Sequence, residues 1–531
     1  MKLSILSLAA AALAVTSAAA IKRQATDDKV VVGYWVPWGN VPVAQLDFTK
    51  VTHINYGFAV LTTKTADPTT ITFDRYYDGT PMRDLVKKGN ATGVKILMSI
   101  GGWTGSQTFS TISADAALRA KFINNALVFV RKNTLPDYAE NPNGWSMDGI
   151  DIDWEYPARE GAICNKVSPN DSANYLLLLK ELRAALDSEF PAVHKMLTAA
   201  VRVQPFDDPS GKPMADVSAY HPYYDYVNVM AYDIMGSWSS TTGPNAPFNN
   251  HPQGDPYSFM QAMNAWLKAG WPKNKLVMGT PFYGRSVTTS IDMTAVSPVS
   301  MIAPKTNVTP KGGPSDSNEV NFYCNEGSVY SGMWKWREIR QGILTSSTTN
   351  PVAGWTRFWD NDTQTPWLFR TSDKTFLSYD DPTSLGIKVQ AAKSQGLRGV
   401  MYWDMTNDYN NELLTVLNQI HCTSNCPVIT TTAATVTATT TTVAPTTTKS
   451  VTVVPTTTTV VTMTMSTVPS PSPTSSGKCD GIAAWNSTTA YAAGGTKVVY
   501  AGHLWTNKWW TQGEVPTIGN TWGVWADQGA C

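Results

Sequence analysis

The chain has 531 residues, 42% of them hydrophobic, and its 41 Lys+Arg are balanced by 41 Asp+Glu. That length exceeds one ordinary domain, although a barrel with insertions absorbs several hundred residues. The zero net charge removes the electrostatic case for nucleic acid or an anionic membrane as partner. The 20 Trp residues, many beside Gly, Asn or Thr, point instead to an uncharged ligand met by aromatic faces.

From the N-terminus, Lys2, an apolar stretch from Leu3 to Val15 and the run Thr16-Ser17-Ala18-Ala19-Ala20 predict a secretory signal over residues 1–20. Its apolar core is too short to span a membrane. Lys22-Arg23 reads as a processing site ending a short propeptide, residues 21–23. Residues 27–422 are globular in composition. Strand-like runs at 29–35, 51–59, 94–101, 149–155, 196–201, 226–232, 276–281 and 399–403 alternate with helix-periodic stretches at 116–131, 173–188, 257–269 and 384–394. Eight strands with helices between them predict an α/β fold, a closed parallel (β/α)8 barrel. The competing open, doubly wound sheet lacks a glycine-rich fingerprint after its first strand. The gap at about 286–380, between strands seven and eight, is too long for one helical crossover. It is expected to be a small α+β insertion, with strand-like runs at 320–323 and 328–334.

The fourth strand carries the chemistry: Asp148-Gly149-Ile150-Asp151-Ile152-Asp153-Trp154-Glu155-Tyr156-Pro157. Strict alternation places Asp151, Asp153 and Glu155 on one face. Like charges that close resist ionising together, so the group should hold a proton near neutral pH. A calcium loop wants Gly and irregularly spaced oxygen donors, not large apolar residues in alternation. Asp148 lies outside the period-two register and is expected to support the strand from the barrel interior. Catalytic groups of such barrels sit where strands end. Other strand ends supply Ser99-Ile100-Gly101-Gly102-Trp103, Met230-Ala231-Tyr232-Asp233 and Met401-Tyr402-Trp403-Asp404. Carboxylates, a tyrosine hydroxyl and a broad indole face describe a pocket for a sugar ring.

Residues 427–476 collapse into Thr, Val, Ser and Pro, an extended linker that buries little. Residues 477–531 return to globular composition with Trp485, Tyr491, Tyr500, Trp505, Trp509, Trp510, Trp522 and Trp525. So small a domain cannot bury them all. Six Cys suit a secreted chain. Cys479 and Cys531 bracket the tail and are expected to close it. Pairing among Cys164, Cys324, Cys422 and Cys426 stays open, and no His or Cys partners stand at zinc-ligand spacing. Glycosylation sequons begin at Asn90, Asn170, Asn307, Asn361 and Asn486.

On these motifs, with Pro281-Phe282-Tyr283-Gly284-Arg285 from the seventh strand, the chain resembles the chitinases of glycoside hydrolase family 18, in particular secreted fungal forms. The resemblance implies a TIM barrel that hydrolyses β-1,4-linked N-acetylglucosamine polymer with retention, the substrate's own acetamido group acting as nucleophile. On that basis Glu155 would be the acid, Asp153 would orient the acetamido nitrogen and Asp151 would stand behind it. Tyr232 would donate to the acetamido oxygen. Trp403 would floor the reacting ring, and Tyr34, Trp103, Met230, Asp233 and Arg285 would line the substrate site. The tail resembles chitin-binding modules of the family 5/12 type, with Trp509 and Trp510 as binding aromatics. Chitin and chito-oligosaccharides are the expected partners of a monomer needing no metal or cofactor. The rival reading is a chitin-binding lectin that keeps the barrel without catalysis.

Overall fold

Val30, Val32 and Tyr34 face one way along the first strand, and Val31 and Trp35 the other. This division, repeated strand after strand, builds two apolar layers, one inside the barrel and one between barrel and helices. The computed structural model describes residues 29–73, 79–135, 143–318, 324, 329–422, 478–487, 489–491, 495–507, 511–512, 515–516 and 525–531. The chain divides into two compact units, residues 1–429 and 430–531.

In the first unit eight parallel strands close on themselves: β1 (Val30–Trp35), β2 (His53–Leu61), β3 (Lys95–Gly101), β4 (Gly149–Asp153), β5 (Met196–Val201), β6 (Tyr226–Val229), β7 (Leu276–Pro281) and β8 (Gly399–Trp403). Around the barrel the order is β1, β8, β7, β6, β5, β4, β3, β2, and a β1–β2 pairing completes the ring. Ile71–Phe73 adds antiparallel to β2. The outer layer is covered by helices including Ala116–Leu127, Asp171–Glu189, Phe259–Lys268 and Pro382–Ser394. Asp115 caps the first of these by accepting from Ala117 and Leu118 N–H, and Asp381 caps the last by accepting from Thr383 and Ser384 N–H.

The expected strands 149–155 and 226–232 both end early, at Asp153 and Val229. The last pair on β4 is Gly101↔Asp153, and Gly101 turns away at φ 120°. Beyond it no neighbour is left to pair with Trp154 and Glu155.

The insertion begins at Tyr283. Its five-stranded antiparallel sheet runs Met333–Lys335, Tyr283–Thr288, Thr375–Ser378, Thr365–Arg370, Trp355–Asp360. Val287, Met293, Met301, Trp367, Phe369 and Phe376 give it a core of its own. It leans on the chain after β6 through Thr242 N–H to the Ala303 carbonyl (2.9 Å) and Phe248 N–H to the Thr363 carbonyl (2.8 Å). The strand-like run expected at 320–323 lies outside the described residues.

In the second unit Lys497–Tyr500, His503–Asn507 and Trp525–Ala530 form an antiparallel sheet, and Ala490–Tyr491 pairs with Thr511–Gln512. Tyr491, Val498, Trp505 and Trp525 are its buried core, and Cys479 is bonded to Cys531. Trp509 and Trp510, the leader segment and the Thr-rich linker lie outside the described residues. Among the described residues no helix is long and apolar enough to cross a membrane.

Candidate active site

The inner face of β4 meets polar neighbours set by register. Ser99 on β3 and Thr198 on β5 stand level with Asp151. Asp151 is fully buried. Its Oδ2 accepts from the Tyr34 hydroxyl (2.8 Å) and the Ser99 hydroxyl (2.8 Å), and its Oδ1 from the Thr198 hydroxyl (2.6 Å). Burial raises its carboxyl above the usual range, and these hydroxyls offset part of that rise.

One step up the same face, Asp153 is buried, and its Oδ1 has no hydrogen-bond partner. Burial, then the Glu155 charge, then the Asp151 charge hold its carboxyl well above the ordinary value. An unsatisfied buried carboxylate oxygen is costly, and the strand aims this one toward the barrel mouth.

Glu155 lies two residues past the last paired residue of the strand, which the alternation alone had carried on to Glu155. Both of its backbone polar groups are anchored there. Its N–H donates to the Ser106 hydroxyl (3.2 Å). That hydroxyl lies 2.9 Å from the carbonyls of both Asp153 and Gly102, and the Glu155 carbonyl accepts from the Asn165 amide (2.9 Å). Burial pushes the Glu155 carboxyl up to about 7, a Tyr156 hydrogen bond pulls against this, and the Asp233 charge adds to it. Between the two acids Trp154 points outward, stacked on Phe109 at 5.2 Å and edge-on to Tyr175.

Trp403 stands half-buried at the end of β8, stacked on Phe58 (5.5 Å, 14°) and tilted against Tyr34 (5.6 Å). Tyr232 and Met230 come from the segment after β6 and pack in the inner cluster. The Tyr232 hydroxyl lies 3.9 Å from Met401 Sδ. Asp233, at φ 55°, accepts from the Tyr283 hydroxyl (2.8 Å) and from Arg285 Nε (2.5 Å). Arg285 in turn lies over the Trp238 ring at 4.9 Å. Trp103 and Trp238 are 48% and 49% exposed, which leaves indole surface at the rim for a ligand. Asp148 sits elsewhere. It precedes β4, bonds Lys95 at the start of β3 (3.0 Å) and accepts from Ile96 N–H (3.0 Å). That is the opposite end of the barrel from Glu155 and not its interior, because a residue one step before the strand has not yet entered the inward-outward pattern.

Sequence reasoning missed Ser106, Asn165, Thr198, Phe58 and Trp238. Thr198 and Ser106 become visible only once strand register and the folding-back of the loop after β3 are known. Among the described residues His251, Asp360 and Asp362 bring ligand-type atoms within 4.8 Å of one another. The His251 Nδ1 accepts from Gln253 N–H (3.1 Å), so in the neutral ring the other nitrogen carries the proton and is not a free metal ligand.

Residues 30–408 match the family model described as Glycosyl hydrolases family 18. A chitinase-like effector of Moniliophthora roreri is 32% identical over 396 residues, covering 72% of this chain and 91% of its own. A crystal structure of a chitinase from Rhizomucor miehei matches with a TM-score of 0.65 at 32% identity, over 74% of this chain and 100% of that one. Ostrinia furnacalis Group IV chitinase, solved in complex with allosamidin, matches at 0.59 and 28% identity, over 74% and 98%.

Proposed function

From the premise that this chain belongs to glycosyl hydrolase family 18, we propose that it is a secreted chitinase cleaving β-1,4-N-acetylglucosamine linkages with retention. The observation that carries the reading is the pairing of Glu155, whose carboxyl is raised to about 7, with Asp153, whose buried Oδ1 lacks a partner. Glu155 protonates the glycosidic oxygen of the departing sugar. The acetamido oxygen of the retained sugar attacks the anomeric carbon. Asp153 takes the acetamido N–H and balances the charge that develops there, with Asp151 fixed behind it by three hydroxyls. Tyr232 donates to the acetamido oxygen, Trp403 floors the ring, and Trp103 extends the platform. Glu155 then takes a proton from the incoming water. The 477–531 module holds the enzyme on solid chitin.

A second reading, a chitin-binding protein without turnover, is favoured by one observation: a relative 32% identical carries the name chitinase-like effector. Against it stands the presence of both Glu155 and Asp153 in one buried group. The deciding experiment is hydrolysis of a soluble chito-oligosaccharide by wild type and Glu155→Gln, with the first product anomer read by NMR. A positioned acid is worth about 10²–10⁴ in rate, so the variant should bind sugar and hardly turn over. Initial β-anomer from wild type supports the mechanism. Initial α-anomer excludes it, and binding without product from either protein establishes the second reading.

A further inference from the structure

The edge strand Met333–Lys335 of the insertion runs antiparallel to Tyr283–Thr288, with Lys335 opposite Tyr283 and Met333 opposite Arg285. Residues directly opposite in such a pair put their side chains on the same face. Tyr283, Arg285, Met333 and Lys335 therefore share one face, and its partners show where it looks. Tyr283 meets Tyr232 edge-on (6.2 Å) within the inner cluster, Met333 packs against that cluster, and both Tyr283 and Arg285 donate to Asp233. Trp334 turns the other way and donates to the Ser286 hydroxyl (3.2 Å). Backbone bonds fix the place further. Phe282 N–H donates to the Trp403 carbonyl (2.8 Å), and the Phe282 carbonyl accepts from Trp336 N–H (2.9 Å). The Lys335–Trp336 peptide thus lies beside the end of β8.

Lys335 is half-buried, and among the described residues its ammonium has no hydrogen-bond or ion-pair partner. The charges it feels are those of Arg337, Asp404 and Glu338. All three are committed elsewhere: Arg337 donates to the Gly39 carbonyl (3.0 Å), Asp404 accepts from Thr406 and Asn407, and Glu338 accepts from the Ser315 and Lys335 N–H groups. An ammonium offers three donors and no acceptor, and leaving them unmet in a half-buried place is costly.

We propose that Lys335 donates to the N-acetyl carbonyl of the sugar next to the one over Trp403, and so selects N-acetylglucosamine over glucosamine there. This deepens the chitinase reading above and rests on it. Glu155, with Trp103 after β3 and Trp238 after β6, stands on the half of the mouth where the departing sugar leaves. Lys335 stands on the half between β7 and β1, so the ring it meets belongs to the retained part of the chain. A glucosamine at that position presents an ammonium, donor-only and like-charged, where the acetylated sugar presents a carbonyl oxygen.

The test is cleavage of a partly N-acetylated chitosan, with early products labelled at their reducing ends and sequenced by mass spectrometry. The reducing-end sugar is the one that lay over Trp403, and the penultimate sugar is the one beside Lys335. In wild type the penultimate position should be enriched severalfold in N-acetylglucosamine over the polymer's average. Lys335→Met should bring it to that average, while Lys335→Arg, which keeps donors and charge, should preserve the enrichment. On a fully acetylated oligomer Lys335→Met should raise KM severalfold with kcat nearly unchanged, because the contact is equal in ground and transition states. No enrichment in wild type, or the same enrichment in Lys335→Met, overturns the proposal. Products ending in glucosamine would instead sink the chitinase reading on which it stands.

Discussion

Ionising Glu155 inside the barrel mouth is unfavourable, and that cost ties pH dependence to stability at one residue. Its carboxyl moves from 4.5 to about 7 on folding, so the protonated form is the one the fold favours. The sign follows: stability is full below the unfolded value and falls as pH rises through about 7, by on the order of 3 kcal/mol. Glu155→Gln removes the ionisation, so its thermal unfolding at pH 8 should occur above wild type while the two coincide near pH 4. Equal midpoints at both pH values would mean the carboxyl is not raised. Activity obeys the same proton, since only protonated Glu155 can act as acid, and the alkaline limb of kcat/KM should lie near neutrality. Asp233 adds to the rise through its charge. Asp233→Asn should therefore shift that limb toward lower pH, and a limb that stays put or moves upward would remove Asp233 from the electrostatics of the acid.

At the scale of elements, the end of β4 depends on a loop it does not belong to. Gly101 and Gly102 turn the chain at φ 120° and 86°, and a Cβ on Gly101 would stand 2.0 Å from the Asp153 carbonyl. Glycine is required there on both counts. The turn brings back Ser106, whose hydroxyl receives the Glu155 N–H and touches two carbonyls. Ser106→Ala strands the buried N–H at a cost of about 1–3 kcal/mol. The expected outcome is a lower unfolding midpoint together with a lower kcat, because the same bond holds the acid. Thermal unfolding and steady-state kinetics on one preparation check it, and a stability loss with kcat intact would make Ser106 purely structural.

At the scale of the whole molecule, the two units have separate cores, and the tail spends several aromatics on its own. Trp505 and Trp525 are buried, and the Trp505 indole N–H donates to the Tyr500 carbonyl (3.0 Å). They are not available to a ligand, and Trp509 and Trp510, the proposed binding pair, lie outside the described residues. A chain ending at residue 422 should keep wild-type rates on soluble oligosaccharides and lose most of its retention on chitin powder, measured by pull-down. Undiminished retention would place solid-substrate binding in the barrel alone.

The barrel, its insertion and the acidic strand were legible in sequence because each rests on local pattern. Period-two alternation marks strands, a gap too long for one crossover marks the insertion, and Asp151-Ile152-Asp153-Trp154-Glu155 cannot be read as an ordinary strand. Pattern could not say where pairing stops, so Glu155 was placed on the strand when it lies beyond it, and Asp148 inside the barrel when it lies below. Tertiary structure decided what required distant segments to meet: Ser99, Thr198 and Tyr34 closing on Asp151, Ser106 and Asn165 fixing the acid, and Cys164 choosing Cys324. Strand register and loop return are long-range properties, settled by the closure of the ring and not by any stretch of neighbouring residues.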